Sequence, residues 1–207
     1  MTAVMAGAPG ILGKHDFLEI NDFSRHTGWL HGFMRFYASD GPVLFGLLLL
    51  AGFWLARRTG DPRRLALAVW AAIGTVLAVA INQPIVHAVH EARPYATLPH
   101  VLLLTNPSTD ASFPSDHATM AGAVAIGLLL LSRRLGVGTS IAALLLAFSR
   151  VYIGAHYPRD VVAGLALGAA IVLGGALIAL PLLTRLITYL QGTRLRPMLA
   201  RADRTAG

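Results

Sequence analysis

Between Pro42 and Leu183 the chain is a succession of apolar runs separated by short turns, several of which carry paired arginines. In a bilayer no water is available to peptide groups, so such runs hold together as helices whose hydrogen bonds close within the segment. Composition agrees: 55% of the 207 residues are hydrophobic and 13% are charged, against about 25% charged in a soluble domain. The expected fold is an all-α integral membrane protein, a bundle of about five transmembrane helices with an N-terminal interfacial amphipathic helix. Cysteine is absent, which excludes a disulfide framework and thiol chemistry.

Residues 1–18 form an N-terminal arm, whose first part is Gly-rich and lacks the basic start and apolar core of a signal peptide. Residues 19–41 mix Phe23, Trp29, Phe33, Phe36 and Tyr37 with Asp22, Arg25, His26, His31 and Arg35. That pattern predicts an amphipathic helix lying in the interface, although part of it could extend the first span. The first apolar run, 42–56, is short against the roughly 20 residues that cross a bilayer, so it borrows from 33–38 or tilts. Spans two to five are expected at 65–88, 115–131, 135–154 and 161–183. They complete one catalytic bundle over 42–185, followed by a basic tail at 186–207.

The formal net charge of +7 could suggest a nucleic-acid partner. The arginines, however, flank apolar runs rather than forming a stripe interleaved with aromatics. They read instead as topology signals. Arg57, Arg58, Arg63, Arg64, Arg133, Arg134, Arg185, Arg194, Arg196, Arg201 and Arg204 all fall on one side if five spans alternate; only Asp61 and Asp203 among the acidic residues share it. The positive-inside rule then puts the C-terminus in the cytoplasm. The end of span two, the start of three, the end of four and the start of five face outward.

Three short polar segments sit at those four places. They are Glu91-Ala92-Arg93-Pro94-Tyr95, Ser112-Phe113-Pro114-Ser115-Asp116-His117, and Ser149-Arg150 with His156 and Asp160 beyond. Charges at apolar helix ends are expensive and read as functional. Two arginines suit bidentate contact with phosphate oxygens, and Ser115 can donate a hydroxyl. Asp116 and His117 stand at the start of span three, where free N–H groups and the helix dipole favour an anion. His156 and Asp160, four apart, share a helix face if span five begins near His156. The carboxylate can then hold one ring nitrogen protonated and present the other as nucleophile, leaving His117 as acid for the leaving group. Glu91 and Tyr95 are candidates for tuning the site. His87 and His90 read as interfacial polar residues, and His15, His26, His31 and His100 form no metal-ligand pattern.

These segments resemble the type 2 phosphatidic acid phosphatase superfamily, which includes vanadium haloperoxidases. Its motifs are Lys-x6-Arg-Pro, Pro-Ser-Gly-His and Ser-Arg-x5-His-x3-Asp. The third is complete from Ser149 to Asp160, the second reads Pro114-Ser115-Asp116-His117, and the first keeps Arg93-Pro94 with Val86 at the lysine position. The departures resemble the bacitracin-resistance branch, undecaprenyl pyrophosphate phosphatases with the site on the outer face of the cell membrane. The resemblance implies His156 as nucleophile, Asp160 as its partner, His117 as acid, and Arg93, Ser115 and Arg150 as phosphate ligands. It also implies a polyprenyl diphosphate substrate, a phosphohistidine intermediate, no metal or other cofactor, and a place in recycling the cell-wall lipid carrier. Phosphatidate, phosphatidylglycerophosphate or another prenyl-linked phosphate is the alternative substrate. A vanadate-dependent haloperoxidase is a remote alternative, since apolar spans are foreign to those soluble enzymes.

Overall fold

Proline and glycine mark where the long helices start and stop. The computed structural model describes residues 13–193 and residue 199. Helix α1 covers Lys14–His26; a 3₁₀ turn at Gly28–Leu30 leads into α2, His31–Thr59. Gly60 ends α2 in the left-handed region at φ 68°, a conformation that glycine adopts without strain. Helix α3, Pro62–Val89, starts immediately: Asp61 caps it by accepting the Arg63 N–H at 2.8 Å, and Pro62 takes the first position, where no N–H is needed. The single turn α4, Pro94–Thr97, precedes α5, Asp116–Leu131; α6, Arg133–Tyr152, and α7, Pro158–Gln191, complete the chain.

The five expected apolar runs are thus five helices. The segments containing α2, α3, α6 and α7 are each long and apolar enough to cross a membrane, while α5 has 16 residues and falls short of that length. At 1.5 Å per residue it rises about 24 Å, less than a hydrocarbon core of about 30 Å. Its position explains how this is tolerated: α5 packs against α3, α6 and α7, so protein rather than lipid covers much of its surface. Exposed apolar residues such as Leu47, Leu50 and Trp54 on α2, and Leu173, Leu177 and Ile178 on α7, form the outer face. The protein is a multi-pass membrane protein.

Two expectations for the N-terminal region need correction. The arm expected over 1–18 is already helical from Lys14, and its earlier part lies outside the described residues. The single interfacial helix expected over 19–41 is instead two elements: α1 ends at His26, and residues from His31 onward belong to α2. Thr27 and the 3₁₀ turn break the helix between them. The short first run is lengthened in this way to a full span. Of the tail expected at 186–207, residues through Gln191 continue α7; beyond Thr193 only residue 199 is among the described residues.

Helix α7 approaches α5 closely through small residues. A Cβ on Gly168 would stand 2.0 Å from the Thr119 carbonyl oxygen, and one on Gly164 would stand 2.6 Å from that of Ser115. Those contacts are backbone, so a side chain there could be accommodated only by moving α5. The close approach sets the start of α5 against the start of α7, where Ser115 N–H donates to the Asp160 carbonyl at 3.1 Å. At the opposite end of the bundle, Gln191 Nε2 donates to the Gly60 carbonyl at 3.3 Å, bringing the end of α7 to the arginine-rich α2–α3 turn.

Candidate active site

Burial and hydrogen-bond partners decide what each motif residue can do. His156 lies between α6 and α7 and is 3% exposed. Its Nδ1 is 2.9 Å from the Ser112 carbonyl oxygen. A carbonyl can only accept, so Nδ1 carries the proton and the Nε2 lone pair is free. Two guanidinium groups converge on that lone pair: Arg93 Nη1 at 3.2 Å and Arg150 Nη2 at 3.4 Å. Burial first, and then the charges of Arg150 and Arg93, hold the imidazole well below the usual histidine range. The ring therefore remains neutral, the form that can act as a nucleophile.

Both arginines are anchored by their other donors. Arg93 Nε donates to the Asp110 carbonyl at 2.9 Å, and its Nη1 also donates to that of Ala155 at 3.1 Å. Arg150 Nη1 donates to the Ala38 carbonyl of α2 at 3.2 Å. Neutral carbonyls fix the two forks without neutralising them, so their positive field remains available to an anion.

Asp160 reaches the histidine differently from the sequence expectation. Its Oδ2 is 3.6 Å from His156 Nδ1, too long for a hydrogen bond. The same oxygen accepts the Ser112 hydroxyl at 2.5 Å and the Tyr157 N–H at 2.9 Å. Ser112 therefore stands between carboxylate and imidazole: its carbonyl holds the ring, and its hydroxyl is held by Asp160. The reason is the backbone path of residues 112–114, which passes beside the start of α7. Ser112 lies in the second motif segment, but its spacing alone gives no hint of this role.

A cavity of about 490 Å³ opens beside His156. Arg93, Tyr95, Asp116, His117, Arg150 and His156 line it, which joins residues separated by up to 63 positions in one chamber. Asp116 is the first residue of α5, so its N–H and that of His117 lack helical acceptors. Its carboxylate is engaged within the protein: Oδ1 accepts from Asn82 Nδ2 at 2.6 Å and Gln83 Nε2 at 2.9 Å, both on α3. Ser115 is fully buried; its Oγ makes no hydrogen bond among the described residues and does not line the cavity.

The two candidate tuning residues separate. Tyr95 lines the cavity, and its hydroxyl both donates to the Ser108 carbonyl and accepts the Ser108 N–H, each at 2.9 Å. Glu91 does not line it; its side chain pairs with Arg159. Burial pushes the Glu91 carboxyl up, and the bond to Arg159 pulls the other way. The 98–105 loop packs more than it lines: Leu98 is buried and Leu102 is held by Asn21 of α1 through bonds of 2.9 and 3.0 Å, while Thr105 faces the cavity. Gln83, Val86, His87 and His90 also line the chamber. Both histidines are exposed, at the rim of the chamber.

Comparison with known proteins agrees with this geometry. Residues 67–190, which include every motif side chain described above, match the model of the PAP2 superfamily. The chain is similar to undecaprenyl-diphosphatase BcrC of Bacillus subtilis, with 36% identity over 158 residues, 76% of this chain and 78% of that protein. It is also similar to an undecaprenyl-diphosphatase of Sulfolobus acidocaldarius, with 32% identity covering 68% and 66% of the two chains. Among solved structures, Aquifex aeolicus LpxE superposes with a TM-score of 0.57 at 28% identity, covering 80% of this chain and 94% of that one. The extent of the family match and the shared helical architecture establish that the chain belongs to the PAP2 superfamily.

Proposed function

We propose that the protein removes the terminal phosphate of a polyprenyl diphosphate, undecaprenyl diphosphate foremost, by a metal-independent route through phosphohistidine. The observation that carries this reading is the His156 ring, with Nδ1 committed to the Ser112 carbonyl and Nε2 facing Arg93 and Arg150. Similarity to proteins named undecaprenyl-diphosphatase supports the substrate class.

In this mechanism the Nε2 lone pair attacks the terminal phosphorus while the two guanidinium groups spread over its oxygens. The bond from phosphorus to the bridging oxygen breaks, and the lipid monophosphate leaves with a proton from His117. His117 then takes a proton from water, whose oxygen attacks the phosphohistidine. The P–N bond breaks, orthophosphate departs, and the Nε2 lone pair is restored. Asp160 acts by holding Ser112, and Ser112 by holding the ring. The product would be the monophosphate form of a lipid carrier, fit for reuse in cell-wall synthesis.

A phosphate-release panel in detergent tests the assignment, using undecaprenyl diphosphate, farnesyl diphosphate, phosphatidate and phosphatidylglycerophosphate with and without EDTA. The prenyl diphosphates should turn over fastest, with EDTA having less than a twofold effect. Equal efficiency on phosphatidate would overturn the substrate assignment, and magnesium-restored loss in EDTA would overturn the route.

We also propose that the chamber opens to the outside of the cell membrane, with the arginine-rich end of the bundle in the cytoplasm. Single cysteines at Thr105 and Gly60 can be introduced into this cysteine-free chain. On intact cells an impermeant thiol reagent should label only the Thr105→Cys protein; labelling of Gly60→Cys alone would invert the orientation.

A further inference from the structure

His87 and His90 line the same chamber as the His156 nucleophile, yet the mechanism above uses neither. Gln83, His87 and His90 are spaced by four and three residues, which puts them on one face of α3 and its C-terminal cap. Val86, on the same face, also lines the chamber. The Gln83 amide is already bonded to Asp116 at 2.9 Å. Neither the His87 nor the His90 imidazole makes a hydrogen bond or ion pair with another described residue. The chamber, at about 490 Å³, has room for more than one phosphoryl group. Arg93 and Arg150 are both directed at Nε2 of His156, so they serve the phosphorus under attack.

From this we infer that His87 and His90 form a second phosphate subsite, which receives the lipid-linked phosphate of a diphosphate while its terminal phosphate is attacked at His156. This rests on the phosphatase reading given above and deepens it: the α3 face makes the site selective for a diphosphate over a monophosphate. Each imidazole has an N–H to donate to a phosphate oxygen. Valine at 86 offers none, so the two histidines supply the side-chain donors of that face not already engaged within the protein.

The test compares His87→Ala, His90→Ala and the double variant with the unaltered protein on farnesyl diphosphate and farnesyl monophosphate in detergent. Hydrogen bonds to charged groups of this kind are each worth about one to two decades. Each single variant should lose about ten- to a hundredfold in kcat/KM on the diphosphate and the double variant about a hundred- to ten-thousandfold, with about twofold or less on the monophosphate. His87→Gln and His90→Gln, which keep a donor, should recover part of the loss. Equal loss on both substrates would make the histidines merely structural, and no loss on the diphosphate would remove the subsite; either result overturns the inference and leaves the phosphatase reading intact. A binding arm separates the two ideas from the other side, with calorimetry of methylenediphosphonate and methylphosphonate. If neither lipid is hydrolysed but the double variant weakens only the diphosphonate, by about a hundredfold or more, the subsite stands and the phosphatase reading falls. Unchanged diphosphonate binding overturns the subsite.

Discussion

Replacing His156 by alanine is expected to lower turnover by about four to six orders of magnitude, the scale seen when a covalent nucleophile is removed. The structure explains why the fold should survive. The ring donates to the Ser112 carbonyl, a bond worth about 1 kcal/mol, and its Nε2 receives Arg93 and Arg150. The Arg93 and Arg150 forks keep their anchors on the Asp110, Ala155 and Ala38 carbonyls. Two guanidinium groups would then face a vacated position, so phosphate or lipid diphosphate binding should persist within about a factor of ten. Rapid quench with terminally labelled substrate should trap an acid-labile, base-stable phosphoenzyme in the unaltered protein and none in His156→Ala. An equal yield of phosphoenzyme in the variant would remove His156 from the role of nucleophile.

Arg150→Ala is expected to have the next largest effect, about two to three orders of magnitude in the rate of phosphoenzyme formation. That is the usual consequence of deleting one preorganised donor to a developing charge in a dry site. Arg150 Nη2 lies 3.4 Å from the attacking nitrogen, and Nη1 is tied to Ala38 on α2. The side chain therefore links α2 to the chemistry of the site. Lysine at 150 restores a charge but not the fork, since one ammonium cannot hold Ala38 and the phosphate in the same geometry. Arg150→Lys should recover about one decade. Thermal melting in detergent provides the control, because removing the bond to Ala38 should cost about 1 kcal/mol. A rate within threefold of the unaltered protein, with folding preserved, would exclude Arg150 from the transition state.

Which features were legible in the sequence follows from what each depends on. The apolar runs are local and long, so they marked the five apolar helices and most of their boundaries to within a few residues. In the structure Gly60 ends α2, and Pro62 and Pro158 begin α3 and α7. The arrangement of polar residues at four helix ends was also readable, because a helix crossing a bilayer must deliver its ends to one face or the other. The break at Thr27 was not: residues on both sides have similar amphipathic composition, and the division depends on how α1 packs over the loop held by Asn21.

At the site, residue types and spacing brought forward His156, Asp160, His117, Arg93 and Arg150 as candidates, while their partners required the tertiary structure. Four-residue spacing brings Asp160 near His156, yet the direct bond is replaced by Ser112, which arrives from 44 positions away. Asp116 reads as a helix-start residue for an anion, but Asn82 and Gln83 of α3 claim its carboxylate. Glu91 pairs with Arg159, and the exposed His87 and His90 line the chamber. The physical reason is common to all of them. Local sequence sets which groups stand at a helix end, because helix formation is a near-neighbour matter. Which donor meets which acceptor depends on the lateral distance between helices, and here the close α5–α7 contact through Gly164 and Gly168 sets that distance.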